Sequence, residues 1–204
     1  MPGSGAHPSP ELVLVSVNHR SSSGAVRDLI CTEETEVPGV LARLKAAGLS
    51  EFIWLSTCDR VEVLAASDDP ARAAVIAADA LAERAGMTAQ ALAPELYTLT
   101  GGDAVRHLFA VACSLDSQVV GEPHVLGQVK AAHRASIAAH VSGPELEAVL
   151  QAAYAAAKRA STPGTSVSSV QIRSRTAPEL DRWLTPTSTS SDEGCAPLPG
   201  MAGA

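Results

Sequence analysis

Two short apolar runs, Phe52-Ile53-Trp54-Leu55 and Val61-Glu62-Val63-Leu64, flank a polar stretch from Ser56 to Arg60. Both runs have the β-branched and aromatic residues that strands favour, so the polar stretch reads as a strand-to-strand connection, with Cys58 on it. Upstream, Leu12-Val13-Leu14-Val15-Ser16-Val17 reads as a buried strand, and Asn18 to Ser23 as the loop leaving it. His19 therefore lies at a strand's end. Val40, Leu41 and Leu44 recur at helical spacing over about Val37 to Ala47, and Gly48 supplies the stop. Asp69-Pro70 opens a further helix as cap and first-turn proline, running to Gly86. This β-α-β-β-α order predicts an α+β fold, a small antiparallel sheet with packed helices.

Beyond a short segment at Tyr97 to Thr100, Asp103 is placed to cap a helix reaching about Ser114, with Val105, Leu108, Phe109, Ala112 and Cys113 as its apolar stripe. His107 falls roughly 160–200° from the centre of that stripe, outside the core-facing set. Gly121-Glu122-Pro123 starts a long helix to about Ala139. Ser142-Gly143-Pro144-Glu145 has the form of a capping box opening another, to about Ala160. The expected organisation is a disordered tail over 1–10, a folded domain over 11–160, and a low-complexity, mostly disordered tail over 161–204 with one short helix at Pro178 to Leu184.

Composition narrows the function classes. A net charge of −7 excludes a sequence-independent grip on nucleic acid by bulk charge, so any RNA partner must meet a local patch. Aromatic residues are 3% of the chain, too few for a stacking platform. No apolar stretch is long enough to span a bilayer and no secretory signal pattern opens the chain, which predicts a cytoplasmic protein with no membrane partner. The four cysteines, at 31, 58, 113 and 195, have neither disulfide-framework nor zinc spacing, and no metal site is expected. Cys113 reads as core, while Cys31 and Cys195 have no supporting context. Cys58 stands apart: it lies in a polar connection two residues from Arg60, and a nearby cation favours the thiolate that makes cysteine a nucleophile.

Ser56-Thr57-Cys58-Asp59-Arg60-Val61-Glu62 resembles the Ser-Thr-Cys-Asn-Arg-x-Glu signature of glutamyl-tRNA reductases. The longer run from Ser114-Leu115-Asp116-Ser117 through Gly121-Glu122-Pro123-His124 to Gln128-Val129-Lys130 resembles the family's Gly-Leu-Asp-Ser-x-Val-x-Gly-Glu-Pro-Gln-Ile-Leu-Gly-Gln-Val-Lys. Val17-Asn18-His19-Arg20 is similar to its strand-end Asn-His-Lys/Arg. The resemblance is expected to cover residues 11–160 and to be lost after Arg159.

The resemblance implies a reaction in which a cysteine thiolate attacks the ester of glutamyl-tRNA(Glu). The resulting thioester is reduced by NADPH to glutamate 1-semialdehyde, the entry to tetrapyrrole and porphyrin synthesis. Carried over by position, Cys58 is the nucleophile and His107 polarises or protonates the ester. Thr57, Asp59, Arg60, Ser117, Glu122, Pro123, His124 and Gln128 fall where the family binds the glutamyl group. Arg60 suits the substrate carboxylate and Glu122 its ammonium. His19 has a loop role or a place in the pocket, and His133 and His140 have no role. Asp59 in place of Asn and His124 in place of Gln are departures that bear on affinity and pH dependence. The family's partners would be charged tRNA, a second copy of the chain and the next enzyme of tetrapyrrole synthesis. No cofactor site for NADPH is visible: Gly3-Ser4-Gly5 precedes the first strand and opens no helix. The expectation is therefore a catalytic domain shortened by truncation or a change of reading frame near residue 160, which forms or hydrolyses the thioester. The alternative is a non-catalytic fragment that holds tRNA or a protein partner.

Overall fold

The computed structural model describes residues 10–116 and 124–160. Strands β1 (Glu11–Asn18), β2 (Glu51–Ser56), β3 (Arg60–Ser67) and β4 (Tyr97–Thr100) form one sheet in the order β2-β3-β1-β4, and every neighbouring pair is antiparallel. The helices are α1 (Gly24–Ile30), α2 (Val37–Ala47), α3 (Pro70–Ala85), the short α4 (Ala89–Leu92), α5 (Gly101–Ala112), α6 (His124–Ala138) and α7 (Pro144–Ala160). The α+β fold with a small antiparallel sheet is as the sequence predicts. The expected tails and the helix at Pro178 to Leu184 lie outside the described residues.

Alternation along the strands divides the core in two. Val13, Val15, Val17, Phe52, Trp54, Val61 and Val63 face α2 and α3, joined by Ile30 at the end of α1. Leu12, Leu14, Ile53, Leu55, Leu64 and Ala66 face α5, α6 and α7. Such a sheet, buried on both faces, reads as unbroken apolar runs. The amide of Phe52 on edge strand β2 donates to the Val141 carbonyl at 2.9 Å, which covers part of the edge.

Local chemistry sets the helix ends. Asp69 accepts from the Arg72 amide with Pro70 in the first turn of α3, and Gly48 and Gly86 end α2 and α3 in the left-handed conformation, as expected. Two caps differ. Helix α5 begins at Gly101, so Asp103 falls within its first turn and pairs with Arg106 instead of capping. At α7 the Ser142 hydroxyl lies 3.2 Å from His133 Nε2, and the Leu146 amide is bound at 3.1 Å by Glu51, a carboxylate from β2 that sequence spacing could not reveal. The proposed start of α6 at Gly121-Glu122-Pro123 lies outside the described residues. Helix α1 and strand β4, of 7 and 4 residues, are too short to show a period in the sequence.

Candidate active site

The α5-facing side of the sheet changes character along its length. On β1 it carries Leu12, Leu14, Ser16 and Asn18; on β3, paired with these residue for residue, it carries Ala66, Leu64, Glu62 and Arg60. Tyr97 of β4 pairs with Ser16 and extends the same row. One half of the face is thus apolar and the other polar, and α5 lies across both.

Over the polar half, His107 comes down from α5. Its Nε2 lies 2.9 Å from Glu62 Oε1 and its Nδ1 3.5 Å from Asp116 Oδ2, and its side chain is only 8% exposed. The expectation that His107 lies off the core-facing set is corrected here: the helix's polar side packs onto a polar patch of the sheet, so a residue outside the apolar stripe is still buried. Glu62 Oε1 also accepts from Ser16 Oγ at 2.9 Å and pairs with Arg60 Nη1 at 3.4 Å. Burial works to raise the Glu62 pKa, but His107, Arg60 and Ser16 more than offset it and hold the carboxyl below its ordinary value. Tyr97 Oη accepts from Asn18 Nδ2 at 2.8 Å and lies 3.5 Å from His107 Nε2. Burial, with the nearby Glu62 charge, pushes the Tyr97 phenol upward, so it stays protonated and can donate.

Arg60 is 1% exposed. Its Nη2 donates to the Asp116 carbonyl, and its Nη1 lies 3.5 Å from Asp116 Oδ2. Its guanidinium is thus held by Asp116 and Glu62, within the cluster. A buried cation of this kind persists only when paired.

Cys58 and Asp59 form the tip of the β2–β3 turn, closed by the Thr57 amide donating to the Arg60 carbonyl at 2.8 Å. Neither tip residue has a positive φ, so the turn is not one of the primed types that suit two-residue hairpins. Thr57 compensates: its buried Oγ1 accepts from the Asp59 and Arg60 amides, both at 3.2 Å. Cys58 is exposed. The turn after β1 packs beside it, His19 donating its amide to the Asp59 carbonyl at 2.9 Å.

The structure therefore brings Thr57, Cys58, Asp59, Arg60 and His107 to one end of the sheet. His124 and Gln128 are exposed on the first turns of α6, one helical turn apart, and no contact among the described residues joins them to the cluster. Ser117, Glu122 and Pro123 lie outside the described residues. Cys113, at the end of α5, packs against the core, and burial raises its thiol pKa. Cys31 is exposed and lies 3.7 Å from the Ser56 hydroxyl. The sequence reading gave no role to Glu62, Asp116, Tyr97, Asn18 or Ser16. The signal was present in β3, where charged residues at 60 and 62 share the face of Leu64 and Ala66 and so must be buried. A cavity of about 280 Å³ lies elsewhere, beside the start of α3, and no predicted site residue lines it.

Fold and site together define an α+β domain with an exposed thiol at a hairpin tip, set against a buried histidine–carboxylate–arginine cluster. The family description "Glutamyl-tRNAGlu reductase, N-terminal domain" matches residues 15–163, and the chain belongs to that family. It is 42% identical over 147 residues to the glutamyl-tRNA reductase of Rhodospirillum rubrum, covering 72% of this chain and 34% of that protein. Against the glutamyl-tRNA reductase of Nitratidesulfovibrio vulgaris it is 39% identical over 176 residues, covering 85% of this chain and 39% of the relative. The solved glutamyl-tRNA reductase from Methanopyrus kandleri superposes with a TM-score of 0.59 at 28% identity, covering 79% of this chain and 38% of that one. The chain spans about a third of the length of the curated relatives it matches. A match covering 85% of the chain is longer than residues 1–160 can supply, so the similarity runs past the expected limit at Arg159.

Proposed function

We propose that this chain carries the acyl-transfer chemistry of glutamyl-tRNA reduction, with residues 11–160 as the catalytic unit. The observation that carries the reading is the placement of Cys58: an exposed thiol on a turn whose foot, Arg60, is locked into the cluster containing His107. The Cys58 thiolate attacks the carbonyl carbon of the glutamyl ester. A C–S bond forms, the C–O bond to the ribose breaks, and the ribose oxygen takes a proton. With His107 protonated and its Nε2–H donated to Glu62, Nδ1–H supplies that proton. Water then cleaves the thioester, releasing glutamate and restoring the thiol. Thr57 and Asp59 shape the thiol's surroundings. Arg60 takes the substrate carboxylate by competing with Asp116 for its guanidinium. Ser117, Glu122, Pro123, His124 and Gln128 are assigned to the glutamyl group from the family pattern alone.

The described residues do not fit a nicotinamide dinucleotide. Their sheet is wholly antiparallel and has no parallel β-α-β pair of the kind around which such a cofactor binds, so no residue described is assigned to NADPH. The wider setting we propose is the cytoplasm, with glutamyl-tRNA(Glu) as partner and tetrapyrrole synthesis as the destination of the glutamyl group.

The test is single-turnover release of glutamate from glutamyl-tRNA without NADPH. Cys58→Ser is expected to abolish it and His107→Ala to slow it about 10²–10⁴-fold. A Cys58 that alkylates readily in a protein that never cleaves the ester refutes the reading. The alternative, a binding fragment with Cys58 a bystander, draws on the near-complete burial of Arg60 among protein partners. It predicts binding to charged tRNA that substitutions at Cys58, Arg60 and His107 leave unchanged.

A further inference from the structure

The charges of the cluster alternate outward from its centre. Glu62, Arg60 and Asp116 are buried, and at the surface Arg20 Nη2 lies 2.7 Å from Asp116 Oδ1 with a side chain 66% exposed. Arg20 is positioned from both ends. Its amide is held at 2.9 Å by Asn18 Oδ1, which also accepts from the Ser21 amide. Its guanidinium forms an ion pair with the Asp116 carboxylate through Nη2. An ion pair this exposed contributes little to stability, so holding the fold together does not account for the arrangement. What it achieves is to hold a planar cation beside the cluster with most of its side chain exposed.

The turn bearing Arg20 is tied to the turn bearing Cys58 by the His19-to-Asp59 backbone hydrogen bond. Cation and thiol thus stand on adjacent loops, as needed when a reacting ester and a phosphate are joined through a single ribose. The chain's net charge of −7 offers no bulk attraction for a polyanion, so phosphate contact depends on local cations of this kind. Arg60, deep in the cluster, is out of reach of a phosphodiester. We infer that Arg20 binds a backbone phosphate of the charged tRNA beside the reacting ester. The inference rests on the proposed function and adds to it a residue that holds the nucleic acid rather than the glutamyl group.

The experiment compares the wild-type chain with Arg20→Gln and Arg20→Lys. Binding of labelled tRNA(Glu) is measured by anisotropy across a salt series, and cleavage is followed on charged tRNA and on glutamyl-adenosine, an ester without phosphate. Arg20→Gln is expected to weaken tRNA binding about tenfold and to flatten the slope of log Kd against log salt by about 0.7–0.9. Its cost should be about tenfold greater on charged tRNA than on glutamyl-adenosine. Arg20→Lys keeps the charge and should restore most of the slope. Equal losses on both esters would overturn the proposal, because Arg20 would then act through Asp116 on Arg60 and His107. Unchanged binding and slope in Arg20→Gln would overturn it too. If the wild-type chain binds tRNA with an Arg20-dependent slope yet cleaves neither ester, the phosphate contact stands and the acyl-transfer reading fails.

Discussion

Replacing Glu62 by Gln keeps the side chain's shape and the acceptor for Ser16 but removes the charge at the centre of the cluster. Arg60 is then 1% exposed with Asp116 as its remaining carboxylate partner. Breaking a buried pair by neutralising one member costs about 3–5 kcal/mol; because Asp116 stays in place, the lower end applies, about 3 kcal/mol. For a domain of this size that lowers Tm by about 6–12 °C. The pH dependence gives an independent signature. The folded-state pKa of Glu62 lies below the ordinary value of 4.5, so its contribution is complete above that value and is lost as pH falls through the folded pKa. The gap between wild type and Glu62→Gln should therefore be constant near neutrality and close progressively below about pH 4.5. Denaturant unfolding of wild type, Glu62→Gln, Arg60→Met and the double variant measures both effects, and the double variant should lose about 1–3 kcal/mol less than the two single losses combined. A deficit under about 0.5 kcal/mol at neutral pH, or one that persists unchanged in acid, would refute the argument that Glu62 is the cluster's charge partner.

Two further predictions concern the backbone around the site. Ser114 ends α5 at φ +56, with its amide on the Val111 carbonyl and the Leu115 amide on Ala110, a left-handed cap at the position where the family signature has Gly. Ser114→Gly should raise stability by about 1 kcal/mol in thermal unfolding, and a loss would show that the serine side chain's own interactions outweigh the strained backbone. A Cβ added at Gly143 would collide with the Glu51 carboxylate that binds the Leu146 amide. Gly143→Ala should cost about 1–2 kcal/mol by displacing that cap and cost much less in a Glu51→Ala background; an equal cost in both would place its origin in the backbone.

What could be read from the sequence follows from how far each signal reaches along the chain. Strands β1, β2 and β3 and helices α2 and α3 are legible through apolar runs, a proline-opened start and glycine stops, all local features that survive packing. The cap of α7 is not, because its acceptor, Glu51, lies 95 residues from Leu146. The place of Cys58 on a strand-to-strand turn is legible from its neighbours, yet the burial of the residues behind it is not. The angle of His107 from the apolar stripe of α5 points it away from the core only if a helix packs solely through apolar residues. Here the opposing sheet surface is itself half polar, and the same alternation that buries Leu12 and Leu14 carries Ser16 and Asn18 inward one and two steps later. In β3 the pattern Arg60-Val61-Glu62-Val63 states this directly, since a strand buried on both faces by valines and leucines must bury its charges as well. A buried charge needs a partner, and Glu62, Arg60, His107 and Asp116 are one another's. Charged residues in register inside an otherwise apolar strand thus mark the site before any motif is recognised.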